Sequence, residues 1–102
     1  MAKVKITVVK RLNNNDIFGG NPPLAYTSPP ICDRLQDGQE FIIDGPGFPQ
    51  GFCAWAYADI QRDITHLRFG GDYPWMKDKG TLLCSCTDGV RPVIFKLERI
   101  ED

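Results

Sequence analysis

The chain has no run of basic residues, no apolar stretch of membrane-spanning length, no Cys-x-x-Cys pair and a single histidine, His66. Each absence removes a class of function. With 12 Lys and Arg against 13 Asp and Glu, and a net charge of −1, the sequence lacks the basic excess that holds phosphate backbones by counterion release, so nucleic acid is not an expected partner. A bilayer-spanning helix needs about 20 apolar residues in succession, so no membrane is expected either. The N-terminal apolar segment at residues 6–9 is shorter than the core of about seven or more residues that a signal peptide needs. The sequence therefore reads as cytoplasmic. Thiols stay reduced there, and Cys32, Cys53, Cys84 and Cys86 read as buried small residues, metal ligands or reactive thiols rather than as a disulfide framework. There is no internal repeat, low-complexity tract or interdomain linker. At 102 residues and 42% hydrophobic content, the expectation is one domain over residues 1–102 with a small core.

What is present reads in order. KVKITVVKR at Lys3–Arg11 alternates Val4, Ile6 and Val8 with Lys3, Lys5 and Thr7, the period-two pattern of a half-buried strand. Between residues 12 and 37 the pattern dissolves among Asn13-Asn14-Asn15-Asp16, Gly19-Gly20, Pro22-Pro23 and Pro29-Pro30. A connection of more than about 12–15 residues is usually functional or mobile, but Ile17, Phe18, Leu24, Tyr26, Ile31 and Leu35 favour partial packing. Asp37-Gly38 turns the chain into QEFIID, with Phe41 and Ile43 on one face. After a Gly- and Pro-rich break, residues 51–75 hold the one evident helix. Cys53, Ala56, Tyr57, Ile60, Ile64 and Leu67 recur at spacings of three and four, with Asp59, Arg62, Asp63 and His66 opposite, and Gly70-Gly71 at the end.

Asp88-Gly89 between two apolar runs predicts a β-hairpin with a tight turn. Taking these two as the loop places Cys86 opposite Arg91, Cys84 opposite Val93 and Leu82 opposite Phe95. The resulting fold class is α+β: a single two-layer domain with one main helix packed on a small, mainly antiparallel sheet, in the order β, long loop, β, α, β-hairpin.

Chemistry is expected first at the cysteines. Cys84 and Cys86 share a strand face, Cys53 starts a helix whose dipole favours a thiolate, and Cys32 lies in the long connection. Converging thiolates suit zinc or an iron–sulfur cluster, with Cys32, Cys53 and Cys86 as the ligand set, although the spacing is not a metal signature. Plain burial is the reading for Cys84. Arg91 would give Cys86 an electropositive setting. The aromatics Phe52, Trp55, Tyr57, Phe69, Tyr73 and Trp75 read mainly as core, but Trp55 falls off the main apolar face of the helix and Trp75 lies in a loop. Both are therefore candidates to line a pocket. His66 reads as solvated, Gly45–Gly51 lacks the lysine of a phosphate loop, and Asp88 reads as a turn residue.

Four segments carry a wider likeness: G-Q-E-F at Gly38 to Phe41, G-F-C-A-W-A from Gly51, F-G-G-D-Y-P-W-M from Phe69 and C-T-D-G-V-R-P-V-I-F-K-L-E-R from Cys86. With the K-V-K-I-T-V start, the chain resembles a family of small, functionally uncharacterised proteins found largely in anaerobic bacteria and archaea. In that family the helix typically opens Cys-Pro-Trp, where proline suits the first helical position; here Ala54 replaces it. The resemblance implies that Cys32, Cys53 and Cys86 are family cysteines and Cys84 is incidental. It implies no activity.

Two functions follow. The first is a thiol-dependent or metal-binding protein with a pocket formed by Cys53 and Cys86, with Cys32, edged by Trp55 and Arg91. The second is a non-catalytic module that binds a small molecule or a protein through Trp55, Trp75 and the long loop, its cysteines inert. A homo-oligomer joined through a strand edge is compatible with either.

Overall fold

In the computed structural model, which describes residues 2–26 and 29–100, the alternation at the N-terminus becomes strand β1, Lys3–Arg11, with Val4, Ile6 and Val8 fully buried. A short helix α1 follows at Asn14–Phe18, capped by the Asn13 side chain and ended by Gly19 at φ 66°. Strand β2 is Glu40–Ile43, helix α2 Ala54–Arg68, strand β3 Thr81–Ser85 and strand β4 Val93–Ile100. The four strands form one antiparallel sheet in the order β2-β1-β4-β3. With α2 on one face, the domain is α+β in two layers.

Helix α2 forms where its apolar spacing predicts. Ala56, Ile60, Ile64 and Leu67 are its buried residues, and they meet the inner-face side chains of β1, β3 and β4, including Val8, Leu82, Phe95 and Leu97. Burying one such aliphatic side chain stabilises by about 1.5–3 kcal/mol, so this interface supplies most of the drive to fold. The helix ends with Phe69, and Gly70 takes φ 91°, a left-handed conformation that costs glycine little. Arg99 of β4 donates to Leu67 O at 3.1 Å and Gly71 O at 2.6 Å, satisfying carbonyls at that C-terminus. The opposite face of the sheet is solvated, with Lys5 between Glu40 and Glu98 and Lys96 beside Glu98.

Two expectations change. The long connection is not without structure of its own: it contains α1, and Leu35 is 1% exposed in the core. Ile17 and Tyr26, expected to help pack it, are exposed. The β3–β4 register also differs by two residues, with Cys84 opposite Phe95 and Leu82 opposite Leu97. The tight turn fails because neither Asp88 nor Gly89 has positive φ, which a primed turn requires. Asp88 instead accepts from the Val90 and Arg91 amides, and the connection runs from Cys86 to Pro92. A shift of two keeps each side chain on its expected face.

Arg11 anchors the long connection. Its amide and Nε donate to Asp37 Oδ1 at 2.9 and 3.1 Å, and its Nη1 donates to Cys32 O and Leu35 O, each at 3.0 Å. The backbone hydrogen bond from Arg11, then its guanidinium, hold the Asp37 carboxyl below its ordinary pKa. Replacing Arg11 by Met strands two partly buried carbonyls and is expected to cost about 1–3 kcal/mol, read from urea unfolding at pH 7. Because the folded pKa of Asp37 is lowered, its stabilising contribution is present above the unfolded value of about 3.9 and lost as pH falls through the folded one. Asp37→Ala is therefore expected to lower the urea midpoint at pH 7, with the difference from wild type closing in acid.

Candidate functional site

Three segments far apart in sequence meet at the N-terminal end of α2. Cys32, Asp33, Arg34 and Leu35 of the long connection, Cys53, Ala54, Trp55 and Ala56 of the helix start, and Cys86, Asp88 and Arg91 of the β3–β4 connection with Val93 of β4 line one cleft of about 460 Å³. That volume is in the usual range for a small-molecule site, about 300–1,000 Å³. The cleft brings together Cys32, Cys53, Cys86, Trp55 and Arg91, all expected from the sequence to share a pocket.

Each wall has a local cause. Cys53 is the N-cap of α2 in extended conformation, and its side chain makes no capping hydrogen bond. Cys86 sits opposite Val93: its amide donates to Val93 O at 3.1 Å, and the Val93 amide donates to Cys86 Sγ at 3.3 Å. The expected Cys86–Arg91 pairing is thereby replaced, because the longer connection moves Arg91 off the ladder. Arg91 still reaches the cleft and donates through Nη1 to Pro29 O at 2.9 Å, tying the long connection to the hairpin.

Trp55 is 66% exposed, yet its ring is held. Its Nε1 donates to Thr87 Oγ1 at 3.0 Å, and Thr87 donates its amide to Asp59 Oδ2 at 2.7 Å. The helix therefore positions both the indole and the group that fixes it. Asp59 and Thr87 were not expected at the site, although Asp59 lies four residues after Trp55, a spacing that puts both on one helix face.

The aromatic cluster expected to serve mainly as core divides. Phe52 is buried against Phe41 and Phe95, with ring centroids 5.0 and 5.5 Å away. Trp55, Phe69 and Trp75 are exposed.

The zinc or iron–sulfur expectation for Cys32, Cys53 and Cys86 does not fit this arrangement. Thiol donors suit a soft metal, but among the described residues no three His, Cys, Asp or Glu side chains are grouped to hold one. The four cysteines are free thiols, each half-buried.

Trp75, a binding candidate along with Trp55, lies apart from it. With Arg62, Asp63, His66, Tyr73, Leu82, Leu83 and Cys84 it lines a second cleft of about 470 Å³ along β3. Tyr73 donates to Asp63 Oδ1 at 2.8 Å, and its ring lies 5.0 Å from those of both His66 and Trp75. His66 is exposed, with Nε2 3.3 Å from Asp72 O. Cys84 packs against the core. Burial, and after it the Asp63 charge, push its thiol up to about 12.

No protein-family model, curated protein or solved structure matches this chain. Among the described residues, no helix is long and apolar enough to cross a membrane.

The thiolate is the nucleophile in alkylation, and Cys84 remains protonated well above neutral pH. Treating the native protein with iodoacetamide at mildly alkaline pH, with mass-spectrometric mapping, is expected to label Cys84 more slowly than Cys32, Cys53 and Cys86. Equal rates at all four would contradict the placement of Cys84.

Proposed function

We propose that the chain is a cytoplasmic, thiol-dependent protein that takes a small organic ligand into the cleft at the start of α2. The observation that carries this reading is the meeting of Cys32, Cys53 and Cys86 with Trp55 and Arg91 in one cleft. Trp55, fixed through Thr87 and Asp59, offers a ligand a large face that loses little entropy on binding. Arg34 and Arg91 supply positive charge, Asp33 and Asp88 negative charge, and Cys53 and Cys86 the thiols. A reducing compartment keeps those thiols free. Membership of the uncharacterised family that the chain resembles, and a role in anaerobic or redox metabolism, belong to the same proposal.

The second reading, a plain binding module with inert cysteines, is favoured by one specific observation: the exposed, hydrogen-bonded Trp55 is a complete binding element without a thiol. Thermal-shift screening of reduced protein against a metabolite set separates the two. Ligands of the cleft are expected to raise the Tm of wild type and to lose that effect in Trp55→Ala. Loss in Cys53→Ser and Cys86→Ser as well supports the thiol-dependent reading. A ligand shift preserved in both cysteine variants would overturn it in favour of the inert module.

A further inference from the structure

The sheet has two edges, and they differ in kind. An edge strand carries a row of unpaired amides and carbonyls, and proteins that remain monomeric guard it with charge, proline or a bulge. The β2 edge is guarded. Glu40 lies on it and pairs with Lys5, Asp44 follows and pairs with Lys3, and Pro46 comes soon after. The β3 edge, Thr81–Ser85, reads TLLCS. It has no charged side chain and no proline.

The ladder shows which β3 groups point outward. Cys86 N donates to Val93 O, and Arg99 N donates to Gly80 O. In the β3–β4 register, antiparallel alternation turns Gly80, Leu82, Cys84 and Cys86 toward β4 and leaves the main-chain groups of Thr81, Leu83 and Ser85 facing out. Beyond the sheet ladder, no hydrogen bond among the described residues engages the Leu83 or Ser85 amide. Leu83 lies opposite Lys96, where the charged ladder of the outer sheet face stops, and its side chain is 54% exposed. Trp75, 69% exposed, borders the same edge through the second cleft.

We infer that β3 is a self-association edge, where a second copy of this chain adds its own β3 antiparallel about a two-fold axis at Leu83. The occupant follows from the symmetry. Antiparallel self-pairing centred on Leu83 sets Leu83 against Leu83 of the other copy, Leu82 against Cys84, and Thr81 against Ser85. All six are uncharged. A charge at the central position would face its own copy, and like charges directly opposite are destabilising; β3 has none. The outward Leu83 amide and carbonyl are placed to form a mutually hydrogen-bonded pair, so the two sheets join into one continuous antiparallel sheet.

Sedimentation velocity of the full chain over low to high micromolar concentration, with circular dichroism as the fold control, tests this. Wild type is expected to dimerise. Leu83→Lys and Leu83→Glu are each expected to weaken association by about tenfold or more, the equivalent of about 1.4 kcal/mol, and Ile42→Lys on the β2 edge is expected to leave it unchanged. Mixing the Lys and Glu variants at Leu83 sets opposite charges across the axis and is expected to restore association, a rescue that a folding defect would not show. A wild type that stays monomeric, dimers unaffected by either Leu83 variant, a mixture that fails to re-associate, or equal weakening by Ile42→Lys would each overturn the assignment.

Discussion

Everything that makes this fold more than a helix on a sheet depends on how Arg11 treats the chain that follows β1. A segment with prolines and glycines every few residues has little regular hydrogen bonding of its own, and ordering it costs conformational entropy. One side chain offsets much of that cost. The guanidinium closes on the Asp37 carboxylate and on two backbone carbonyls, Cys32 O and Leu35 O, while Leu35 is sunk in the core. Arginine suits this because its planar fork presents several donors at fixed angles. Once the segment is pinned there, Cys32 stands beside the first turn of α2.

Two further arginines repeat the device. Arg91 fastens the β3–β4 connection to Pro29, and Arg99 joins β4 to the end of α2 and, through Nη2 at 2.9 Å, to Asp72. The first closes the cleft side of the molecule and the second the opposite end of the helix. Between them α2 acts as scaffold, and the residues placed to meet a ligand are those of its first turn. The two clefts divide the cysteines by chemistry as well as position. Cys84 is a burial-suppressed thiol beside Asp63, whereas Cys32, Cys53 and Cys86 share a cleft with arginines and a fixed indole.

Much of this was legible in the sequence where periodicity carries the information. Val4, Ile6 and Val8 alternate and are buried; Ala56, Ile60, Ile64 and Leu67 recur at helical spacing and face the sheet. Cys32, Cys53, Cys86, Trp55 and Arg91 were expected together and line one cleft. Turn chemistry carried less. Asp88-Gly89 looked like a two-residue hairpin, but the bonds of Thr87 to Asp59 and Trp55 hold the strand end to the helix and the connection lengthens. Arginine bonds to carbonyls at Cys32, Leu35 and Pro29 leave no trace in residue identity. Trp55 and Trp75 were both binding candidates, and they line different clefts; their separation depends on the length of α2 and on the course of the loop after it, neither of which spacing alone specifies.

The long connection is folded down onto the start of α2, so that Cys32 shares a cleft with Cys53 and Cys86. Treatment of the native, reduced protein with a short bifunctional thiol reagent, followed by peptide mapping, reads this arrangement out. Links from Cys32 to Cys53 or Cys86 are expected in the folded chain and are expected to be lost in urea; a Cys32 that reacts only singly in the native protein would rule this arrangement out.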